Sequence, residues 1–456
     1  MEVLSENVYK FSTNPNNIRT ITLLYEYRDS LEDALKHEII EMKKNVDEIQ
    51  KIPMDLYIEL NTLLSTSQNI WVQAKTKNDY QLFKPYLKKI IELTKKYVKC
   101  LETGKIKGYD FLLDKFEPGF TTKEYDKLFN LLKEKLVPFI KEVTSKKLEF
   151  NNAFTKLKYP VDKQKEFLNF IQDVMCFDKN RGIMKESEHP FTSGFGSNDV
   201  RITVHYYEDL FISSIFSAIH ELGHATYEQQ CNPSLNETLS SGGASMAMHE
   251  SQSRFYENII GRSPDFWKPL FPTLKATFPK QLKGLKLNDF IKYINTVEKS
   301  LIRTEADELT YPLHIMIRYE IEKKLFNDEI TVDELPKVWN EYVKEYLGLD
   351  VPSDREGVLQ DVHWSGGSFG YFPTYALGSA YASQIYHAMK KDIDIKKSLL
   401  TGSTKEINLW LKEKIHKYGA TKYPAELIKI ATNEKFNPKY YVDYLIKKYS
   451  KLYNIK

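Results

Sequence analysis

The pentapeptide His220-Glu221-Leu222-Gly223-His224 is where side-chain type and spacing in this chain first combine into possible chemistry. On a helix, residues i and i+4 stand about 5–6 Å apart on one face, so two imidazoles at that spacing converge on a single Zn2+. Glu221 would then sit beside the metal, able to take a proton from an activated water and hand it to a leaving amine. The competing reading is a buried helix whose histidines are satisfied by neighbouring carboxylates. Gly223 weighs against it. A mid-helix glycine costs about 1 kcal/mol relative to alanine, and a close approach of backbone to a metal or substrate would account for its presence.

A catalytic zinc site keeps three protein ligands and one open position, so a third ligand is required downstream. The stretch after Gly242-Gly243 offers His249-Glu250-Ser251-Gln252-Ser253-Arg254. We take Glu250 as the ligand. Spacing leaves two other readings open: Glu250 could form an ordinary i,i+4 ion pair with Arg254, and His249 could be the ligand or the partner of one. Cys231 lies seven residues after His224 but fits no standard ligand pattern. The three cysteines, Cys100, Cys176 and Cys231, are far apart and odd in number, which argues for core thiols rather than a disulfide framework.

These residues need a scaffold. Apolar periodicity over 210–227 predicts the helix that carries the His-Glu-x-x-His motif. Just before it, Val200, Ile202, Val204 and Tyr206 alternate with Arg201, Thr203, His205 and Tyr207, a period of two that predicts a strand. From about 18 to 150 the chain reads as long amphipathic helices, for example 23–46 and Tyr80–Leu101, with a Thr cap ahead of a helix starting near Lys123. This part contains a single histidine, His37, and no constellation that could carry chemistry. The expected fold class is therefore mainly α: one unit over 1–456, with a helical lobe or lid at 1–150, a catalytic part at 151–456, and a small β-sheet near 200–207.

Bulk properties exclude several classes. The chain has 456 residues, 42% hydrophobic and 28% charged, as in an ordinary folded protein. Its 65 basic and 62 acidic residues leave a formal charge of +3 with no basic stripe, so neither nucleic acid nor a membrane surface is an expected partner. No long apolar run and no secretory-type start is visible, and a cytoplasmic location is expected.

Taken in order, six motifs resemble the carboxypeptidase Taq family of zinc metallocarboxypeptidases. They are His189-Pro190-Phe191, Asp199-x-Arg201-x-Thr203, His220-Glu221-x-x-His224, His249-Glu250-Ser251-Gln252, Ile302-Arg303-x-x-Ala306-Asp307 and Gly370-Tyr371-Phe372-Pro373. The likeness covers most of the chain beyond about residue 105; the first hundred residues depart from it, being shorter and lacking a Ser-Trp-Asp-like segment.

The resemblance implies a single large helical peptidase unit with a deep cleft, zinc on His220, His224 and Glu250, and Glu221 as general base. It also implies that Arg303 binds the free C-terminal carboxylate of a peptide substrate. That role suits a planar guanidinium, which recognises a carboxylate bidentately; the competing reading is a pair with Asp307, which could itself orient Arg303. His363 or Tyr371, in the glycine-rich loop after Gln360-Asp361, could donate to a developing oxyanion. His189, Asp199 and Arg201 look like motif residues that shape the substrate side or orient ligands. Broad specificity, poor cleavage before C-terminal proline, substitution of Co2+ for Zn2+ and a homodimer are further implications of the resemblance. Two rivals remain: an endo-acting zinc oligopeptidase similar to the thimet oligopeptidase group, and a peptide-binding scaffold that keeps zinc without turnover. Retention of Glu221 argues against the scaffold, because a structural site needs no base.

Overall fold

The computed structural model describes residues 1–455. The chain divides into two compact units, one comprising 1–137, 298–306 and 310–374, the other 138–297, 307–309 and 375–456.

The first unit is helical. Its long hairpin pairs Met54–Lys77 with Tyr80–Leu101, and the second helix buries Phe83, Leu87, Ile90, Thr94, Val98 and Leu101 along one stripe, as its periodicity predicts. The expected continuous helix over 23–46 is instead two helices, Pro15–Glu26 and Asp33–Ile49. Side chains supply the stop: Arg28 Nη1 donates to the Tyr25 carbonyl and Ser30 Oγ to the Tyr27 carbonyl, satisfying acceptors that a further helical turn would have used. The helix Thr122–Ser145 begins where expected, with Thr121 and Glu124 bonded through the Thr121 amide and hydroxyl.

Tyr311–Phe326 is the centre of this unit, buried on nearly every side although it carries His314, Arg318 and Glu322. Such a helix must satisfy its polar groups internally. Arg318 pairs with Asp361 at 2.5 Å, and Glu322 accepts from Tyr109 Oη, Trp364 Nε1 and the Gly370 amide at 2.7–2.8 Å.

The second unit holds the only sheet among the described residues, with β1 at Gly182–Glu186, β2 at Phe191–Gly194 and β3 at Val200–Val204. β3 is central, parallel to β1 and antiparallel to β2. The expected strand thus stops two to three residues early, where the Val204 carbonyl accepts from the Ser187 amide and His205 Nδ1 turns to the Ser187 carbonyl. β1 and β2 were hidden in a Gly-, Ser- and Pro-rich stretch with no apolar alternation. Val200, Ile202 and Val204 are fully buried, and the helix Phe211–Gln230 packs on the sheet.

The mainly helical fold with a small sheet is as expected. No helix among the described residues is long and apolar enough to cross a membrane. All three cysteines are free, but only Cys231 is buried; Cys176 is exposed, in a left-handed backbone conformation, and is not a core thiol.

Candidate metal centre

Two helices of the second unit build the centre. Phe211–Gln230 presents His220 and His224 one turn apart, with ring centroids 5.0 Å from each other. Met246–Arg254, capped by the Ser245 hydroxyl on the Met248 amide, presents Glu250. The Oε2 of Glu250 stands 3.6 Å from Nε2 of His220 and 3.6 Å from Nε2 of His224, and one donor atom from each residue lies within 4.8 Å of the other two. Donors of a tetrahedral ion with arms of about 2.1 Å stand roughly 3.4 Å apart, so this His-His-Glu set fits a divalent metal.

The two readings of Glu250 are compatible, because its oxygens divide the work. Oε1 accepts from Arg254 Nε at 2.6 Å, while Oε2 faces the imidazoles and accepts from Ser253 Oγ at 3.0 Å. Burial opposes its charge, but Arg254 and the two histidines outweigh that and hold the carboxyl well below its usual range.

Gly223 has a different explanation from the expected one. A Cβ there would lie 2.8 Å from the Gln252 carbonyl oxygen and 2.8 Å from Ser253 Cα. The close approach is between the helix that carries His220 and His224 and the helix that carries Glu250.

Glu221 is buried beside the ligands, and Thr192 on β2 donates its hydroxyl to Glu221 Oε2 at 2.5 Å. The carboxylate's orientation is thus set by the sheet. Behind the two histidines lie Glu257, which spacing did not single out, and His249, which it did. His220 Nδ1 is 2.8 Å from Glu257 Oε2, and Glu257 also accepts from Arg254 and Arg262. Glu257 occupies Phe255–Ile260, a wide π-type continuation of the Glu250 helix, the kind of irregularity that re-aims side chains at sites. Burial raises its pKa, but Arg254 and His220 dominate and bring it to about 2. For His220, burial disfavours the imidazolium, yet Glu250 and Glu257 more than compensate and the pKa rises; for His224, burial prevails, His249 and His220 reinforce it, and the pKa falls. His249 Nδ1 lies 2.6 Å from His224 Nδ1. His416 is fully buried, stacked on Tyr227 and bonded to Gln230 and Gln252.

The remaining candidates fall into two groups. In the second unit, His189 is exposed in the loop between β1 and β2, and its carbonyl ties to Ser187 and Thr203. Arg201 pairs with Asp199 at 2.6 Å and covers the ring of exposed Phe195. In the first unit, Arg303 pairs with Asp361 through Nε at 2.9 Å and Nη2 at 2.8 Å, while its Nη1 reaches Tyr311 Oη at 3.4 Å. Asp361 therefore lies between two guanidiniums, Arg303 and Arg318, which overcome its burial and hold its carboxyl far below the normal range. His363 packs on Phe372 with centroids 4.4 Å apart, and burial next to Arg303 and Arg318 lowers its pKa to about 4 in spite of Asp361. Tyr371 meets Phe116 edge-on and is partly exposed.

Comparison with known proteins agrees with the motifs. A family model described as carboxypeptidase Taq (M32) metallopeptidase matches residues 1–449. The likeness therefore runs through the first hundred residues too, contrary to the expectation from motifs, because those helices are matched without any catalytic residue to mark them. Carboxypeptidase 1 of Bacillus subtilis is 44% identical over 451 residues, covering 99% of this chain and 90% of that protein. Thermostable carboxypeptidase 1 of Thermus thermophilus is 36% identical, covering 93% of this chain and 85% of that protein. The solved structure of an M32 carboxypeptidase from Deinococcus radiodurans superposes with a TM-score of 0.93 at 30% identity, over 98% of this chain and 90% of that one. With the metal-binding geometry and these matches together, the chain belongs to the carboxypeptidase Taq (M32) family of metallopeptidases.

Proposed function

We propose that the protein removes single amino acids from the free C-terminus of peptides, using zinc held by His220, His224 and Glu250. The observation that carries this reading is the convergence of those three donors with Glu221 beside them. A divalent metal there would supply Lewis acidity, polarising the scissile carbonyl and lowering the pKa of water. Glu221 accepts the proton released by the attacking water and returns it to the leaving amine, and the Thr192 hydroxyl keeps its carboxylate aimed for both transfers.

Arg303 takes the terminal carboxylate of the substrate. Asp361 pairs with both Arg303 and Arg318 and holds the Nε and Nη2 edge of Arg303, while Nη1 of Arg303 points to Tyr311 Oη. His363, neutral above about pH 4, or Tyr371 supplies a hydrogen bond to the oxyanion. Family resemblance adds the finer expectations of broad specificity, poor release of C-terminal proline, Co2+ in place of Zn2+, and a homodimer.

Mass spectrometry of an N-terminally blocked peptide incubated with the zinc-loaded protein tests the reading. A ladder losing one C-terminal residue at a time is expected, absent with Glu221→Gln and with a C-terminally amidated peptide. Internal fragments from both peptides would replace it with an endo-acting oligopeptidase, and no cleavage by metal-loaded protein would leave a scaffold.

A further inference from the structure

Two ligand histidines in this site are held from behind in different ways. His220 meets a carboxylate directly, Glu257 at 2.8 Å. His224 meets a second imidazole, His249, at 2.6 Å between Nδ1 atoms, and His249 Nε2 meets Glu228 Oε1 at 2.6 Å. Glu228, His249 and His224 form a single file ending at the metal-facing Nε2. We propose that His249 and Glu228 are positioning residues that fix the tautomer and ring plane of His224 for metal binding, with His249 not itself a ligand. This inference rests on the metal reading above.

With His224 Nε2 left free to bind a metal, one arrangement of hydrogens remains. An ionised carboxylate only accepts, so the hydrogen between Glu228 and His249 resides on His249 Nε2. In neutral His249 the Nδ1 is then bare and accepts from Nδ1–H of His224. That leaves His224 Nε2 with a free lone pair on the side where Nε2 of His220 and Oε2 of Glu250 also point. Reversing the His224–His249 bond would place the His224 hydrogen on Nε2 and abolish ligation. Both nitrogens of His249 are consumed, which answers the question that spacing left open between His249 and Glu250.

The surroundings hold Glu228 in place. It is buried and accepts from the Gly243 backbone amide. A Cβ on Gly194 would come within 2.6 Å of its Oε2, and a Cβ on Gly243 within 2.6 Å of His249 Cδ2. Tyr227 flanks the His249 ring, 5.3 Å between centroids. Side chains at those two glycines would displace the file, so the bare backbone there is part of the device.

Cobalt(II) is the probe. Competition with a chromophoric chelator gives its affinity, and the visible band at saturation reports the ligand set. His249→Phe is expected to weaken Co2+ binding roughly 10–100-fold with an unchanged band, the usual consequence of removing the group behind a ligand histidine. Glu228→Leu should weaken it in the same direction, whereas Glu228→Gln keeps an acceptor oxygen and should stay within about threefold of the parent. If His249→Phe does not fold, judged by its circular dichroism, the Leu-against-Gln comparison carries the test alone. Unchanged affinity in His249→Phe, equal losses in the two Glu228 variants, or a band altered as by loss of a ligand would each overturn the proposal. His220→Ala serves as the separate control: undiminished cobalt binding there would overturn the metal reading itself.

Discussion

Gly223→Ala separates helix stability from metal geometry. In an isolated helix the change gains about 1 kcal/mol. Here the added Cβ would lie 2.8 Å from two backbone atoms of the neighbouring helix, Gln252 O and Ser253 Cα, and 3.1 Å from Gln252 C. Backbone cannot rotate away as a side chain can, so the helices must part by roughly half an ångström to reach ordinary contact, at a packing cost of about 1–3 kcal/mol. Net of the propensity gain, the metal-free protein should lose only about 0–2 kcal/mol. Metal binding should suffer more. Glu250 rides on the displaced helix two residues before Gln252, and ligand distances tolerate only about 0.2 Å, so affinity should fall at least about tenfold. Urea unfolding of the metal-free protein and cobalt competition on the same samples measure the two effects. Gly104→Ala, whose Cβ would meet nothing within 4 Å, is the control and should change neither. A Gly223→Ala protein with undiminished metal affinity would refute the claim that helix spacing at this glycine sets the ligand geometry.

Two further predictions concern buried charges in the first unit. Burial raises the pKa of Glu322 to about 7, against the hydrogen bonds it accepts from the Gly370 amide, Trp364 and Tyr109. A carboxyl raised in the folded state contributes stability that is full below about pH 4.5 and lost as pH rises through about 7, of order 3 kcal/mol in all; urea titrations at pH 5 and pH 8 should show this loss, and Glu322→Gln should flatten it, a persisting slope ruling out Glu322 as its source. Asp361→Asn removes the carboxylate with which both Arg303 and the fully buried Arg318 pair, and should cost about 3–5 kcal/mol in urea unfolding at pH 7; a loss under 1 kcal/mol would mean the pair is not held as the structure has it.

How much of the site could be read from the chain depends on the sequence distance over which each interaction closes. His220, Glu221 and His224 share one helical turn, so periodicity alone placed two donors and a base together. Glu250 was reachable because its neighbours were distinctive, and its two apparent alternatives, metal ligand and partner of Arg254, do not compete, since Oε1 faces Arg254 and Oε2 faces the imidazoles. The residues that orient this set close over far longer loops, Thr192 to Glu221 spanning 29 residues and Glu257 to His220 spanning 37, and the separate pair of Asp361 with Arg303 spans 58. None of them sits in a spacing that differs from a solvated face. The same holds for the fold: Tyr80–Leu101 announced itself through its own apolar stripe, whereas β1 and β2 owe their pairing to β3 and show no alternation of their own. Chemistry does supply one inference that needs no structure. A histidine that gives Nε2 to a metal carries a hydrogen on Nδ1, and when buried that hydrogen demands an acceptor, so each ligand histidine implies a partner still to be found. With 62 acidic residues in the chain, that demand cannot choose among them. Folding chose Glu257 for one histidine, and for the other an imidazole backed by Glu228, the residue one turn beyond His224 on the same helix.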